Sequence, residues 1–144
     1  MAHVSLNHPK LTLEGAEAIL AGAKAQAAHM RVPMNIAVVD EGGHLLAFAR
    51  MDGAKPASID IAINKAVAAA IRRQNTGPAR SGEEVSVLLS LGLAIGSRAR
   101  QTPIRGGLML EVGGQCVGGI GVSAGTEDED TEVARAGAAA FVKG

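Results

Sequence analysis

Asp40, His44, Arg50, Asp52 and Lys65 are the residues of this sequence whose types and spacing suit chemistry. His44, Leu46, Phe48, Arg50 and Asp52 alternate, and the two-residue period of a strand projects alternating side chains from one face. An Arg and an Asp at the end of an apolar face either neutralise each other at a sheet edge or line a pocket that orients a carboxylate. His44 and Arg50 lie roughly 20 Å apart at ~3.3 Å per residue, so they serve different sites unless two subunits meet there. Lys65 is the one charged residue between Asp60 and Arg72. It reads either as a lysine whose stem lies along apolar surface with its ammonium in water, or as a lysine at a pocket or subunit interface, paired with a carboxylate such as Asp40 or Asp52. The second reading describes a cofactor-independent enzyme, a lyase, isomerase or hydrolase, acting on a small organic acid. There Arg50 orients the carboxylate, Lys65 polarises a carbonyl, and Asp40 or Asp52 moves a proton. A purely structural subunit, whose polar residues only tie an oligomer together, is the third class.

The remaining motifs are structural. Gly119-Ile-Gly121-Val-Ser-Ala124 has the spacing of a dinucleotide fingerprint, but it falls within a strand and leaves no room for the acidic residue that follows about 20 positions later. A phosphate at Ser123-Ala-Gly125-Thr126 would meet Glu127, Asp128, Glu129 and Asp130 at once, so no nucleotide site is expected. That acidic run reads as helix capping and solvated charge. His3, His8, His29 and His44 are scattered and Cys116 is the single cysteine, which excludes a structural zinc site and an internal disulfide. Cys116 itself reads as a small core hydrophobe.

Composition bounds the rest. Fourteen Lys and Arg balance fourteen Asp and Glu, so no field gathers nucleic acid or an anionic membrane. No apolar run reaches the ~18 residues of a membrane span, and the start Met-Ala-His-Val-Ser-Leu lacks the basic and apolar regions of a secretion signal, so a cytoplasmic protein is expected. With two Phe and no Trp or Tyr, the core must be built from Ala, Val, Ile and Leu, with Phe48 and Phe141 as its large pieces. A domain of 144 residues so rich in Ala and Gly can bury faces against copies of itself, which predicts a homo-oligomer.

The elements that position these residues follow from periodicity. Apolar positions from Leu13 to Met30 predict a first helix, closed by Pro33. Met34 to Asp40 and Leu45 to Met51 predict strands, and a two-residue turn at Gly42-Gly43 would set Asn35 opposite Arg50 and Ala37 opposite Phe48. Ser58 to Arg73 predicts a second helix after Pro56. Ser81-Gly-Glu-Glu84 has capping-box form and predicts a third helix through Leu91. Gln101 to Arg105, Leu108 to Val112 and Gln115 to Ser123 predict three strands. Thr126-Glu-Asp-Glu129 opens a last helix running to Phe141. In Gly118, Gly119 and Gly121 the last strand has room for another backbone to pack closely. The expected architecture is one α/β (α+β) domain over residues 1–144, with a five-stranded antiparallel sheet and helices on both faces.

The segment Ile36-Ala-Val-Val-Asp40-Glu-Gly-Gly-His44-Leu-Leu-Ala-Phe-Ala-Arg50-Met-Asp52-Gly53-Ala54 resembles the most recognisable stretch of the GlcG/HbpS family. Further agreement lies in Ala57-Ser58 leading to Lys65-Ala66, in Gly106-Gly107, and in Val117-Gly-Gly-Ile-Gly-Val-Ser123-Ala-Gly125-Thr126 followed by Asp130, Glu132 and Ala134. The resemblance spans Leu11 to Phe141. It implies a profilin-like three-layer α/β/α fold and a homo-oligomer of six or eight subunits. It also implies a haem- or small-molecule-binding accessory role, in a family that includes the C-terminal domain of a PduO-type cobalamin adenosyltransferase. Within the matched stretch His44 is the best-placed candidate haem ligand and Met51 the second. Such a family fixes fold better than activity.

Overall fold

A computed structural model describes residues 2–141. Helix α1 (Leu13–Met30) starts where Thr12 Oγ1 accepts from the Gly15 N–H at 3.0 Å, and it ends in a left-handed Arg31 just before Pro33. Strands β1 (Asn35–Asp40) and β2 (Leu45–Arg50) form a hairpin. A 3-10 turn, Pro56–Ser58, leads into α2 (Ile59–Arg72). The short strands β3 (Arg80–Ser81) and β4 (Glu84–Val85) precede α3 (Val87–Gly96), and β5 (Gly107–Val112) and β6 (Gln115–Ser123) form a second long hairpin. Helix α4 (Glu127–Ala139) closes the fold behind the capping box expected at Thr126 and Glu129.

The main sheet is antiparallel in the order β2-β1-β6-β5. One face carries the larger core, in which Ile36, Val38, Ile120 and Val122 meet Ile19 and Ala23 of α1 and Val133 of α4. On the other face Ala37 and Val39 meet Ala66, Val67 and Ala70 of α2. Over β6 this second interface is backbone against backbone. A Cβ on Gly121 would sit 2.1 Å from the Ala62 carbonyl, and one on Gly119 2.3 Å from that of Ala66, so α2 lies directly on β6 as the glycine-rich strand predicts.

Several expectations need correction. The main sheet has four strands, because Gln101–Arg105 is turn and irregular chain. Pro103 cannot donate to a ladder, and the outer edge of β5 is already taken: Asn75 Oδ1 accepts from Met109 N, while Thr76 and Gly107 exchange hydrogen bonds. Ser81 and Glu84 face each other in β3 and β4 across a turn with Gly82 at φ +65°, so the helix starts later, at Val87, behind Ser86 as its cap. Phe48 and Phe141 are half-buried; the largest fully enclosed side chains include Lys65, Ile19, Met34 and Ile36.

The hairpin also departs from its expected turn. Gly43 N donates to the Asp40 carbonyl and Gly43 adopts φ +82°, so the loop holds three residues, Glu41 to Gly43. A bulge at Leu46 restores the register, and Asn35 still pairs with Arg50 and Ala37 with Phe48. The same bulge breaks the alternation. Leu46 packs into the α1 side of the sheet and Phe48 into the α2 side, so His44, Leu46, Phe48, Arg50 and Asp52 do not share one face.

Candidate functional site

The structure separates the residues that the sequence groups together. Asp40 closes the β1–β2 turn, its Oδ1 accepting from the backbone N–H of Gly42 and of His44, each at 2.9 Å. His44 is exposed on that turn. Arg50 stands at the opposite end of the hairpin, about 17 Å from Asp40 at ~3.3 Å per residue. Asp52 is exposed in the turn after β2, and no ion pair joins it to Arg50 among the described residues. Met51 is half-buried and packs against the larger core cluster.

Lys65 is neither a surface lysine nor a partner of Asp40 or Asp52. Its side chain is 1% exposed, and Nζ donates to Asp130 Oδ2 and to the Val122 carbonyl, both at 2.8 Å. Asp130, expected in solvated charge, is 3% exposed, and its Oδ1 accepts from Gly125 N at 3.0 Å. Burial pushes the Asp130 carboxyl above the ordinary carboxylate range, against the pull of Lys65 and of the Gly125 N–H. Gly106 leaves room for the pair, since a Cβ there would lie 2.9 Å from Lys65 Nζ and from Asp130 Cβ. The pair ties α2 to α4 at the β5–β6 end of the sheet, whereas Arg50 sits on the opposite edge strand.

A polar row that the sequence hides runs across the sheet beneath the start of α2. Asn35 pairs with Arg50 on one side and with Ser123 on the other. Asn35 is fully buried; its Nδ2 donates to the Lys55 carbonyl at 2.9 Å, while its Oδ1 has no partner. Asn35 was visible in the sequence only as a strand residue opposite Arg50.

Two clefts flank the chain segment before α1. The first, of about 450 Å³, is lined by Leu11, Val112, Val117 and Phe141 together with the charged Lys10 and Glu14, among others. The second, of about 420 Å³, is lined by His8, Arg73, Met109, Glu111, Gln115 and Cys116 among others. Imidazole, thioether and thiol are side-chain types that ligate haem iron, and a guanidinium suits a propionate. No group of three His, Cys, Asp or Glu among the described residues could hold a bare metal ion. An iron already bound by four porphyrin nitrogens needs only one or two protein donors, so the residues of the second cleft fit haem by their chemistry. His44 and Met51 line neither cleft. Composition and spacing gave no signal for His8 and Met109, which lie far apart in sequence.

These features define a small α+β domain with an antiparallel sheet between helices and two ligand-sized clefts. The chain belongs to the HbpS-like family: residues 11–139 match the family model described as haem degrading protein HbpS-like. It is 37% identical over 114 residues to protein GlcG of Escherichia coli K12, covering 78% of this chain and 81% of that protein. The crystal structure of Klebsiella pneumoniae protein ORFY, 30% identical, superimposes with a TM-score of 0.87 over 98% of this chain and 97% of that one. The crystal structure of a PduOC–haem complex, 24% identical, shares the fold with a TM-score of 0.82 over 94% and 98% of the two chains.

Proposed function

We propose that this protein is a haem- or small-molecule-binding accessory protein, built on a profilin-like three-layer scaffold, whose ligand occupies the cleft of His8, Arg73, Met109 and Cys116. The observation that carries the reading is the donor set of that cleft: iron-ligating side chains beside a cation, in a space of about 420 Å³ that falls within the ordinary range of ligand pockets. PduOC, which shares the fold, was crystallised with haem, and this supports the choice of porphyrin. Self-association belongs to the same proposal. Titration with hemin is expected to give a saturable Soret shift that an unrelated protein does not reproduce. His8→Ala or Met109→Leu should alter the spectrum and weaken binding on the order of tenfold or more, since an iron–ligand bond sets the ligand field and apolar burial does not. His44→Ala should leave both unchanged. An altered spectrum in His44→Ala alone would move the iron to the hairpin and overturn the assignment.

A second reading, catalysis on a small organic acid, is favoured by the row of Arg50, Asn35 and Ser123. Arg50 offers a fork for a carboxylate, and the unpartnered Asn35 Oδ1 awaits a hydrogen-bond donor. Lys65 takes no part in this row, its ammonium being held by Asp130 and Val122. Arg50→Lys keeps the charge and loses the two-pronged geometry, so it should weaken binding of lactate or malate, measured calorimetrically, with little change in melting temperature. Unchanged affinity, or no binding to the parent protein, returns Arg50 to the exposed surface.

A further inference from the structure

Helix α3 contains no charged residue and, among its buried positions, only Ser90. Leu88, Leu91 and Ile95 recur at i, i+3 and i+7 and are 83%, 52% and 78% exposed, and Val87 is 69% exposed. The helix is tied to its own domain by polar contacts at Ala79: Ser90 Oγ accepts from Ala79 N, and the N–H of Ser86, the helix cap, donates to the Ala79 carbonyl, both at 2.8 Å. Val87, Leu88, Leu91 and Ile95 lie on one side of the helix and offer on the order of 500 Å², the size of the largest apolar patch on a typical monomer, one that is often functional, and more than half of the ~800 Å² per partner of a stable interface.

Two further observations say what covers this surface. Gly92 lies in the middle of the helix on the stripe of Leu88 and Ile95, where a glycine costs about 1 kcal/mol relative to Ala. Nothing in its own chain lies within 4 Å of where a Cβ would stand, at Gly92 or at Gly96, so packing within the subunit does not call for either glycine. The ends of the helix differ in charge: in the β3–β4 hairpin before it Glu83 and Glu84 outnumber Arg80, and Arg98 and Arg100 follow it. A second copy running antiparallel brings each acidic end beside the other's basic end, whereas a parallel copy would set like charges together.

We infer that α3 is a self-association surface, pairing with α3 of a second copy in antiparallel fashion about a two-fold axis near Gly92. The contact is isologous, so Leu88 of each copy packs against Ile95 of the other and the glycine lets the helices approach. This deepens the self-association proposed above by naming its face, and it is independent of the haem cleft. At about 1.5 Å per residue the helix is far too short to cross a bilayer, and no helix among the described residues is long and apolar enough to do so.

Light scattering coupled to gel filtration tests the inference. The parent protein should elute as a multiple of 14.5 kDa, and Leu88→Glu or Ile95→Glu should halve that mass. Both positions are exposed, so circular dichroism should show an intact fold. Glu83→Arg with Glu84→Arg should also dissociate the pair, and adding Arg98→Glu with Arg100→Glu should restore it. A parent of 14.5 kDa would overturn self-association and this face together. A parent monomer that co-floats with phosphatidylglycerol vesicles would assign the helix to lipid and overturn the inference likewise. A multimer unmoved by Leu88→Glu and Ile95→Glu would leave self-association standing and remove α3 from it.

Discussion

Lys65→Met is expected to lower stability by about 3–5 kcal/mol, a fall in melting temperature on the order of 10 °C or more. The methionine keeps the apolar stem but leaves the Asp130 carboxylate buried without its cation, and leaves the Val122 carbonyl without its donor. The companion variant separates charge from packing. Lys65→Met combined with Asp130→Asn removes the stranded charge and keeps an acceptor for the Gly125 N–H, so it should recover part of the loss. The pH dependence has a definite sign. Burial already holds the folded Asp130 carboxyl above its ordinary range, and removing Lys65 deprives it of the main opposing influence. A carboxyl whose pKa rises on folding takes up protons on folding, so its contribution to stability falls as pH rises through the raised value. The deficit of Lys65→Met should therefore be smaller in acid than at neutral pH. A deficit that grows as pH falls, or a single variant as stable as the double, would show that the pair does not act as a buried ion pair.

Gly121→Ala should be destabilising as well. Its Cβ would lie 2.1 Å from the Ala62 carbonyl and 2.3 Å from the Ala66 nitrogen, both backbone atoms of α2 that cannot rotate aside. Either the helix lifts from the sheet or β6 twists away, and overpacking of this kind costs about 1–3 kcal/mol or more. Because α2 also carries Lys65, the displacement would stretch the Lys65–Asp130 contact as well. Gly77→Ala is the internal control, since its Cβ would meet only Arg105 Cγ, at an ordinary 3.9 Å, and fold stability should be unchanged. Equal stability of Gly121→Ala and the parent, by thermal or urea unfolding, would mean that the α2–β6 interface is looser than its geometry.

The contrast between these positions shows what was legible in the residues. The Thr126–Glu129 capping box is a local pattern that needs nothing beyond its own turn, and it forms as read. The glycines of β6 announced a close backbone, although not which one. The pairing of Asn35 with Arg50 was readable, yet for an incomplete reason, because the three-residue loop and the Leu46 bulge each shift the register by one and cancel. For Lys65 a carboxylate partner was readable but not which one, because that partner lies 65 residues away, in a run of acids whose other members begin a helix at the surface. Likewise the Ser81–Glu84 pattern lost to a tight turn at Gly82, and Gln101–Arg105 lost a place in the sheet to Asn75 and Thr76. His8 and Met109 come together only in the folded chain, so no spacing rule could have joined them.

The position of the iron tests the account most directly. In crystals grown with hemin, anomalous scattering at the iron edge should give one strong peak per subunit in the cleft lined by His8, Arg73, Met109 and Cys116. A peak beside His44 on the β1–β2 turn, or none in crystals from a saturated solution, would contradict it.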